Sequence, residues 1–300
     1  MELQPLVGSV GPLHFGVSLR LTYDEAMKLD QKEIIDLLYS KRFILIRGMK
    51  DLSPNQFWEL CSRFGDRAWS YDDYLVSGEN RTYIDADKTR AITIYDNIYY
   101  KKALGDDEMS WHVDVPLWNT HDHPIRCFYA TSIPDNRYGV TRFADRAWLN
   151  LNGTQAELDE LAHWELLHHS WYKPYTNLTY LPVIAKHPHL DENYMEFTSF
   201  NNSLKEYSHD YYNWKVHGWI IGAKRDGVPH NADIVSWLHQ KTLVPENIYD
   251  HHWEEQDFVI YSNLSMIHAR TKLNSHLNPN KPRSFYRMNV FNHWQKKNHG

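Results

Sequence analysis

Hydrophobic positions along the chain predict a strand-rich core that carries a few helices. From Lys32 to Tyr39 the apolar residues fall on one broad helical face, and Phe43 to Ile46 is a short apolar run typical of a buried strand. The segment Ser53-Pro54-Asn55-Gln56 offers an N-cap hydroxyl, a proline at the first helical position and a capping-box glutamine. A helix is therefore predicted to begin at Pro54 and to end near Gly65.

Later segments complete the predicted fold. Strands are predicted in four runs rich in β-branched and aromatic residues, Ala91 to Tyr100, Ile125 to Ile133, Leu178 to Ala185 and Phe258 to Tyr261. A late helix is predicted from Ala232 to Leu243 because its apolar residues recur at helical spacing and Pro245 follows. Many strands separated by long loops predict a mostly β fold with flanking helices, built on a double-stranded β-helix (jelly-roll or cupin-like) core. No repeat or linker interrupts it, so one domain over residues 1–300 is expected.

Composition narrows the class of protein. Three hundred residues with 42% hydrophobic content can bury one sizeable core. A net charge of −6 without a Lys/Arg-rich run argues against nucleic acid or an anionic membrane as the main partner. Cys61 and Cys127 are too few for a disulfide framework and are expected to be reduced, buried thiols. The sequence shows no secretory signal and no apolar run of the roughly 20 residues that a membrane span needs, so we expect a soluble, cytoplasmic protein. Whether it forms a homo-oligomer is left open.

Candidate chemistry begins with His112-Val113-Asp114. In a strand, residues i and i+2 point to one face, so His112 and Asp114 can reach a single metal. With the distant His268 they form the two-histidine-one-carboxylate set that holds non-haem Fe(II) and leaves positions open. A 2-oxo acid and dioxygen can fill those positions, and Arg283 offers a guanidinium fork for the far carboxylate of the acid.

The His-x-Asp pattern alone is weak evidence, because 19 histidines and 38 acidic residues produce about two to three such matches by chance. Three other matches are present and are expected on solvated faces: His163-Trp-Glu165, His189-Leu-Asp191 and His252-Trp-Glu254. Further histidine pairs lack the ligand number of a zinc site, and solvated surface is expected for most of them. These pairs are His121-Asp-His123, His168-His169, His187-Pro-His189 and His251-His252.

The surroundings of His112 are more specific, since the chain resembles the taurine dioxygenase-like (TauD/TfdA) family of Fe(II)- and 2-oxoglutarate-dependent oxygenases. The resemblance covers most of the chain, in the family's order. It is carried by Phe15-Gly-Val17, Phe43-Ile-Leu-Ile-Arg47-Gly48, Leu52 to Phe57, Arg63-Phe-Gly65, Trp111 to Asp114, Pro124 to Pro134, Gly139 to Asp145, Trp253-x-x-x-Asp257 to Asn263, His268-Ala-Arg270 and Arg283 to Arg287.

The resemblance implies a role for each matching residue. His112, Asp114 and His268 would be the iron ligands, and Thr141 with Arg283 would hold the distal carboxylate of 2-oxoglutarate. Arg287 matches a position that in some relatives grips an acidic group of the substrate, with a structural salt bridge as the alternative.

The implied enzyme uses Fe(II), 2-oxoglutarate and O2 to oxidise an aliphatic C–H of a small molecule, and it releases succinate and CO2. Hydroxylation is the expected outcome, with desaturation or cyclisation as variants. A carboxylate- or sulfonate-bearing substrate, such as an amino acid derivative, is expected because of Arg287. An aromatic substrate is a competing possibility, because the loops from Trp69 to Tyr100 and from Tyr207 to Trp219 are rich in aromatic residues that either cover the site or pack together.

Two departures from the family pattern put loop shape in doubt, since Gln256 replaces the usual glycine before Asp257 and Ser262 replaces an aspartate before Asn263. Asp114 itself is retained, which argues against the halogenating relatives. Two rival classes remain: a non-catalytic jelly-roll protein that binds a metal or small ligand, and a zinc hydrolase. Neither rival explains a co-substrate arginine beside three ligands.

Overall fold

A computed structural model of the chain describes residues 2–67, 93–96, 108–113, 125–172, 175–187, 190–198, 219–230, 233–278 and 280–291. The strands are β1 Gln4–Gly8, β2 Gly11–Arg20, β3 Phe43–Arg47, β4 Asp66–Arg67, β5 Thr93–Asp96, β6 Met109–His112, β7 Ile125–Ser132, β8 Thr141–Asp145, β9 Trp164–Tyr172, β10 Tyr175–Pro182, β11 Ile184–Lys186, β12 Asn193–Met195, β13 Trp219–Arg225, β14 Val228–His230, β15 Ile248–His251, β16 Phe258–Ser262, β17 Met266–Arg270 and β18 Ser284–Phe291. The α-helices are α1 Tyr23–Lys28, α2 Gln31–Lys41, α3 Pro54–Ser62, α4 Trp148–Asn152, α5 Gln155–Leu161 and α6 Asp233–Thr242. Two 3₁₀ turns span Pro245–Asn247 and Ser275–Leu277.

Two sheets face each other and form the predicted jelly-roll core. The larger sheet has the strand order β1-β2-β3-β16-β7-β18-β4, with β5 also paired to β18, and only its β2–β3 pair is parallel among the described strands. The smaller sheet has the order β15-β8-β17-β6 and is antiparallel throughout its described length. Aromatic rings join the two sheets, since Phe143 of β8 lies 4.7 Å from Phe43 and 5.1 Å from Tyr261, measured between ring centroids.

Strand β3 shows why the larger sheet is apolar on both faces. Phe43 and Leu45 pack in the interior between the sheets, whereas Ile44 and Ile46 pack on the outer face beneath α2 and α3. Successive strand residues point to opposite faces, so a strand covered on both sides reads as a continuous apolar run. The sequence prediction of a buried strand at this position is confirmed.

Local capping chemistry sets the helix starts. Ser53 and Gln56 form the predicted capping box of α3, with Pro54 in the first turn, and Asp30 caps α2 through the Glu33 amide. The expected end of α3 at Gly65 is wrong by one turn. The amides of Arg63 and Phe64 bond to carbonyls three residues back, so the last turn tightens after Ser62.

A second layer of structure, with its own apolar cluster, packs behind the smaller sheet. It consists of the sheet β10-β9-β13-β14 together with α4, α5 and α6. The predicted helix at residues 232–243 corresponds to α6 and the predicted strand at residues 178–185 to parts of β10 and β11, whereas β9 and β13 were not predicted. The buried guanidinium of Arg146 ties this layer to the core, because it donates to Glu196 Oε1 at 2.8 Å and to the carbonyls of Met195 and Leu264.

Three histidines correct the expectation that most paired histidines lie in solvent. His168, His187 and His251 are buried, whereas His252 is exposed. Burial lowers the pKa of His168 to about 4, so this ring stays neutral near pH 7. Cys61 and Cys127 are buried free thiols, as expected. In the part of the chain described, no helix is long and apolar enough to cross a membrane.

Candidate functional site

One end of the site is built from two histidines on paired strands. His268 of β17 and His112 of β6 are direct partners across the sheet, and their ring centroids lie 4.3 Å apart. Both are buried, with exposed fractions of 5% for His112 and 8% for His268. His112 Nδ1 donates to the Ser110 carbonyl oxygen at 2.7 Å. Because a carbonyl only accepts, this bond assigns the lone pair of the neutral ring to Nε2, an atom through which imidazole binds metals.

The remaining predicted ligand, Asp114, lies outside the described residues. Val113 before it is buried and packs in the apolar cluster behind the smaller sheet, on the side away from His268. The alternation expected of a strand is therefore present at His112 and Val113. The structure brings together two of the three predicted ligands, and the place of Asp114 beside them stays a prediction.

Aromatic rings enclose the histidine pair. Phe143 stacks near His268 with 6.0 Å between ring centroids, and Tyr261 of the larger sheet approaches the same ring edge-on at 5.5 Å. Apolar walls of this kind lower the local dielectric and orient the imidazole rings. The pair is therefore a rigid, sparsely hydrated donor set at the interface of the two sheets.

The other end of the site lies further along the smaller sheet. Thr141 stands two residues before Phe143 on β8, so it shares the inward face and lies about 7 Å along the strand from the level of His268. Across the sheet, Thr141 is paired with Arg270 on one side and His251 on the other. Its hydroxyl oxygen accepts the Trp253 indole N–H at 2.8 Å. A five-carbon dicarboxylic acid can span the gap between these two levels.

Arg283 supplies a cation at the Thr141 end. It directly precedes β18, donates through Nη2 to the Gly139 carbonyl oxygen at 2.8 Å, and lies over the Phe285 ring at 4.7 Å. Burial, and secondarily the positive charge of Arg270, lower the pKa of Arg283 to about 9. The guanidinium is still a cation at neutral pH. Arg283 and Arg270 are both partly buried, and an anion bound between two neighbouring guanidinium groups offsets their mutual repulsion.

Gly139 allows Arg283 to approach the backbone. Its φ is +64°, and a Cβ at this position would lie 2.5 Å from Leu273 Cδ2 and 3.3 Å from Arg283 Cζ. Any side chain would therefore strain the turn and displace the guanidinium. A glycine is required here by both the conformation and the close contact.

Arg287 lies on the inner wall of the larger sheet. It is 8% exposed, stands opposite Phe128 of β7, and has its guanidinium 5.6 Å from the centroid of that ring. Phe285, Arg287 and Asn289 alternate along β18 and so share the face that packs against the smaller sheet. The wall therefore carries buried polar groups within an otherwise aromatic lining.

The turn that carries Trp253 is held by ionic contacts. Asp257 accepts hydrogen bonds from Arg47 Nε and from the Glu254 amide, both at 2.9 Å, and its carboxylate lies 3.4 Å from His251 Nε2. Burial raises the pKa of Asp257, but the hydrogen bonds from His251 and Arg47 outweigh it and lower that pKa below the ordinary value. The carboxylate is therefore ionised and fixes the turn.

The departure at Gln256 leaves the turn shape intact. Gln256 adopts the left-handed conformation that glycine favours, with φ +73°. Its backbone N–H donates to the Ala130 carbonyl oxygen at 2.7 Å. Its side chain donates to Asp51 Oδ1 at 3.1 Å. At the second departure, Ser262 Oγ pairs with Ser265 Oγ at 3.1 Å and caps the turn before β17.

A family model decides the identity of the fold and its chemistry. The model of the taurine catabolism dioxygenase TauD, TfdA family matches residues 2–289. The chain belongs to this family. It is a dioxygenase that works on small molecules with Fe(II), 2-oxoglutarate and O2.

Solved structures agree on the fold. A taurine dioxygenase from Burkholderia xenovorans has a TM-score of 0.66 at 16% identity, with 97% of this chain and 90% of that chain covered. PvcB from Pseudomonas aeruginosa has a TM-score of 0.64 at 17% identity, with 96% and 91% covered. AAD-2 in complex with Mn(II) and N-oxalylglycine has a TM-score of 0.65 at 15% identity, with 97% and 98% covered. Among curated proteins, none matches the chain.

Several residues that shape the site carry no sequence signal of their own. Ser110 fixes the His112 tautomer through a backbone carbonyl, and any residue type could supply that atom. Gly139 and Trp253 belong to segments that resemble the family, but nothing in the sequence shows that they contact Arg283 and Thr141. Arg270 follows His268 by two positions, and strand periodicity could have identified it as a second inward-facing cation.

Proposed function

We propose that His112, Asp114 and His268 hold Fe(II), and that Thr141 and Arg283 bind the distal carboxylate of 2-oxoglutarate. The observation that carries this proposal is the layout of one inward face. A buried imidazole pair lies at one level of the small sheet, and the Thr141 hydroxyl lies about two residues further along it, where the partly buried Arg283 guanidinium contacts the Gly139 carbonyl just before β8.

The donor set suits Fe(II). Two imidazoles on adjacent antiparallel strands converge without further folding, and a carboxylate two residues after His112 would share the face of that ring. Two histidines and one carboxylate leave coordination positions open, as an oxygenase requires. The hydrogen bond from His112 Nδ1 to Ser110 presets the tautomer that ligation needs.

Held by His112, Asp114 and His268, Fe(II) would supply the redox chemistry that couples conversion of 2-oxoglutarate and O2 to succinate and CO2 with oxidation of the substrate. The residues of the chain orient the reactants. Arg283 and Thr141 anchor the far end of the 2-oxo acid and so aim its keto-acid end at the histidine pair. Phe143 and Tyr261 restrict access of water to the same space. Orientation and water exclusion are the protein's contribution in cofactor enzymes of this kind.

We further propose that Arg287 binds an anionic group of the substrate. Its guanidinium is buried on the inner wall of the larger sheet, and Arg287 follows Arg283 by four residues in the sequence. This favours a small molecule with a carboxylate or sulfonate, such as an amino acid derivative. The structural neighbour named a taurine dioxygenase supports the idea, because taurine is a small sulfonate. Hydroxylation of an aliphatic C–H is the expected reaction, with desaturation or cyclisation as variants.

Succinate release measured across a panel of small molecules tests the proposal. The panel pairs each carboxylate or sulfonate with its neutral amide or ester, and every assay is run with and without Fe(II). We expect stimulation by anionic members only, and loss of that preference in Arg287→Gln. Iron-dependent succinate release that ignores the substrate's charge would overturn the role of Arg287. Absence of any release from folded protein would favour the non-catalytic binding protein instead.

A single domain over residues 1–300 completes the proposal. It is supported by the apolar clusters on the two faces of the larger sheet, which share strands β3, β7, β16 and β18 and therefore cannot separate.

A further inference from the structure

Trp253 makes a hydrogen bond in which the Thr141 hydroxyl oxygen can only be the acceptor. Trp253 follows β15, is buried, and donates its indole N–H to Thr141 Oγ1 at 2.8 Å. An indole N–H can only donate, so the threonine oxygen must be the acceptor in this bond. The hydroxyl hydrogen is then directed away from the indole, and among the described residues no acceptor takes it.

The indole ring also supports the neighbouring cation. Trp253 packs edge-on against Phe285, with 4.7 Å between ring centroids, and Phe285 in turn lies 4.7 Å beneath the Arg283 guanidinium. His251 packs against the other side of the indole at 4.4 Å. One side chain thus touches Thr141 directly and reaches Arg283 through a single intervening ring.

Two cationic residues belong to the surroundings of Thr141. Arg283 contacts the strand segment that leads into Thr141, and Arg270 is the cross-strand partner of Thr141. An acceptor that satisfies both a hydroxyl donor and a guanidinium fork is a carboxylate. A threonine hydroxyl normally rotates to suit its neighbours, but here the indole occupies one lone pair of the oxygen, which restricts that rotation and favours donation of the hydroxyl hydrogen to a further group.

We propose that Trp253 is a positioning residue that holds the Thr141 hydroxyl as a hydrogen-bond donor to the distal carboxylate of the 2-oxo acid co-substrate. This inference rests on the proposed function of Thr141 and Arg283. It predicts that Trp253 sets the preference for a dicarboxylic 2-oxo acid without contacting that acid.

Anaerobic titration of the Fe(II)-loaded protein with two 2-oxo acids tests the inference. The acids are 2-oxoglutarate and 2-oxopentanoate, which has the same chain length but ends in a methyl group. The visible absorption of the iron chelate reports binding of either acid. Trp253→Phe keeps an aromatic ring but removes the N–H and part of the ring volume, so 2-oxopentanoate binding serves as the internal control for lost packing. Trp164→Phe is the matched control variant because that indole donates to Glu160 at the protein surface.

We expect Trp253→Phe to weaken 2-oxoglutarate binding about 3- to 10-fold and to leave 2-oxopentanoate binding unchanged, as the loss of one oriented hydrogen bond predicts. Thr141→Val should weaken 2-oxoglutarate about 10- to 100-fold, since that bond reaches a charged group. In the Thr141→Val background, Trp253→Phe should have no further effect on 2-oxoglutarate. In the Thr141→Ser background, which restores the hydroxyl, its effect should return.

Other outcomes distinguish the role of Trp253 from the proposed roles of Thr141 and Arg283. Equal weakening of both acids, or full additivity with Thr141→Val, would make Trp253 a packing residue and overturn the inference alone. Failure of both acids to bind the unaltered protein would overturn the proposed function as well.

Should Trp253→Phe not fold, the indole N–H resonance of the unaltered protein serves instead, with Zn(II) in place of Fe(II). It should shift on addition of 2-oxoglutarate but not of 2-oxopentanoate, and Thr141→Val should abolish that shift. A resonance that ignores the distal carboxylate would refute the inference.

Discussion

The histidine pair and Thr141 lie on the same small sheet, whereas Arg283 directly precedes β18 of the larger sheet, and the two ends of the site are built in opposite ways. At the histidine pair, direct strand pairing of β6 with β17 brings the imidazoles together, so backbone register alone defines the geometry. At the Thr141–Arg283 end, the groups come from β8, the turn after β15 and the residue before β18, and side-chain contacts through Trp253, Phe285 and Gly139 hold them. The first region should resist changes in its neighbours, whereas the second should depend on several residues that touch no ligand.

This difference separates affinity for iron from selectivity for the co-substrate. A register-defined metal site should depend mainly on its ligands and on the groups that directly orient them. A site assembled from side chains can be weakened step by step, and each weakening should appear as a changed preference between 2-oxo acids.

Removal of one of the two histidine ligands should abolish iron binding and, with it, succinate release. His268→Ala is expected to lower Fe(II) affinity by more than about 100-fold, because even partners of metal ligands are worth 10- to 100-fold. Metal analysis after dialysis and succinate release provide the measurement, with the exposed His252→Ala as control. Retained stoichiometric iron in the His268→Ala variant would contradict the ligand assignment.

Removal of the co-substrate cation should leave iron binding intact. Arg283→Ala is expected to weaken 2-oxoglutarate binding by about 2–5 kcal/mol, the cost of truncating one partner of a buried charge pair. The change should be absent for 2-oxopentanoate and for Arg137→Ala, whose guanidinium is exposed and paired with Asp135. Equal losses for both acids would indicate general disruption of the site.

The contact of Gly139 with Arg283 can be separated from backbone strain. Gly139→Ala and Gly227→Ala both place a side chain at positive φ, +64° and +77°, and should each cost roughly 1–2 kcal/mol of stability. Only at Gly139 does the new Cβ meet Leu273 and Arg283, and around Gly227 nothing lies within 4 Å. We expect 2-oxoglutarate affinity to fall about 10-fold or more in Gly139→Ala alone, since small misplacements of binding groups are costly. Unfolding and titration experiments on both variants measure the two effects.

The smallest effect on the site should come from His168, which belongs to neither end. Its pKa is about 4 in the folded chain against an ordinary value of 6.5, so the unfolded chain takes up the proton first as pH falls. The stabilisation present above pH 6.5 should be lost progressively between pH 6.5 and pH 4, by about 2 kcal/mol between pH 7 and pH 5. Urea midpoints at the two pH values should show this loss in the unaltered protein and a reduced loss in His168→Gln. The ratio of affinities for the two 2-oxo acids at pH 7 should not change.

The same contrast explains what could be predicted from sequence. Strand β3, helix α2 and the capped start of α3 follow from local patterns, because periodicity and capping act within a few residues. The His112 and His268 pairing was predictable from a motif and a family resemblance. By contrast, the Trp253–Thr141 bond joins residues 112 positions apart, and no local rule specifies which buried indole meets which hydroxyl.

Burial of polar residues was the weakest part of the sequence prediction. His168 and His187 each have another histidine one or two positions away in the sequence, a pattern that led us to expect solvated surface, yet both are buried. Their environments come from distant segments, such as the Ser265 hydroxyl that contacts His187 at 3.2 Å. A pattern of polar residues cannot show that tertiary partners will satisfy them.

In the proposed site, iron binds at the histidine pair and the distal carboxylate of 2-oxoglutarate binds at Arg283. The decisive measurement is anaerobic addition of Fe(II) and then 2-oxoglutarate to metal-free protein, followed through the visible charge-transfer band of the chelate. We predict a band in the unaltered protein, no band in His112→Ala, and in Arg283→Ala a band that needs far more 2-oxoglutarate but the usual amount of 2-oxopentanoate. Folded protein that gives no band, or an Arg283→Ala titration identical to that of the unaltered protein, would contradict the claim.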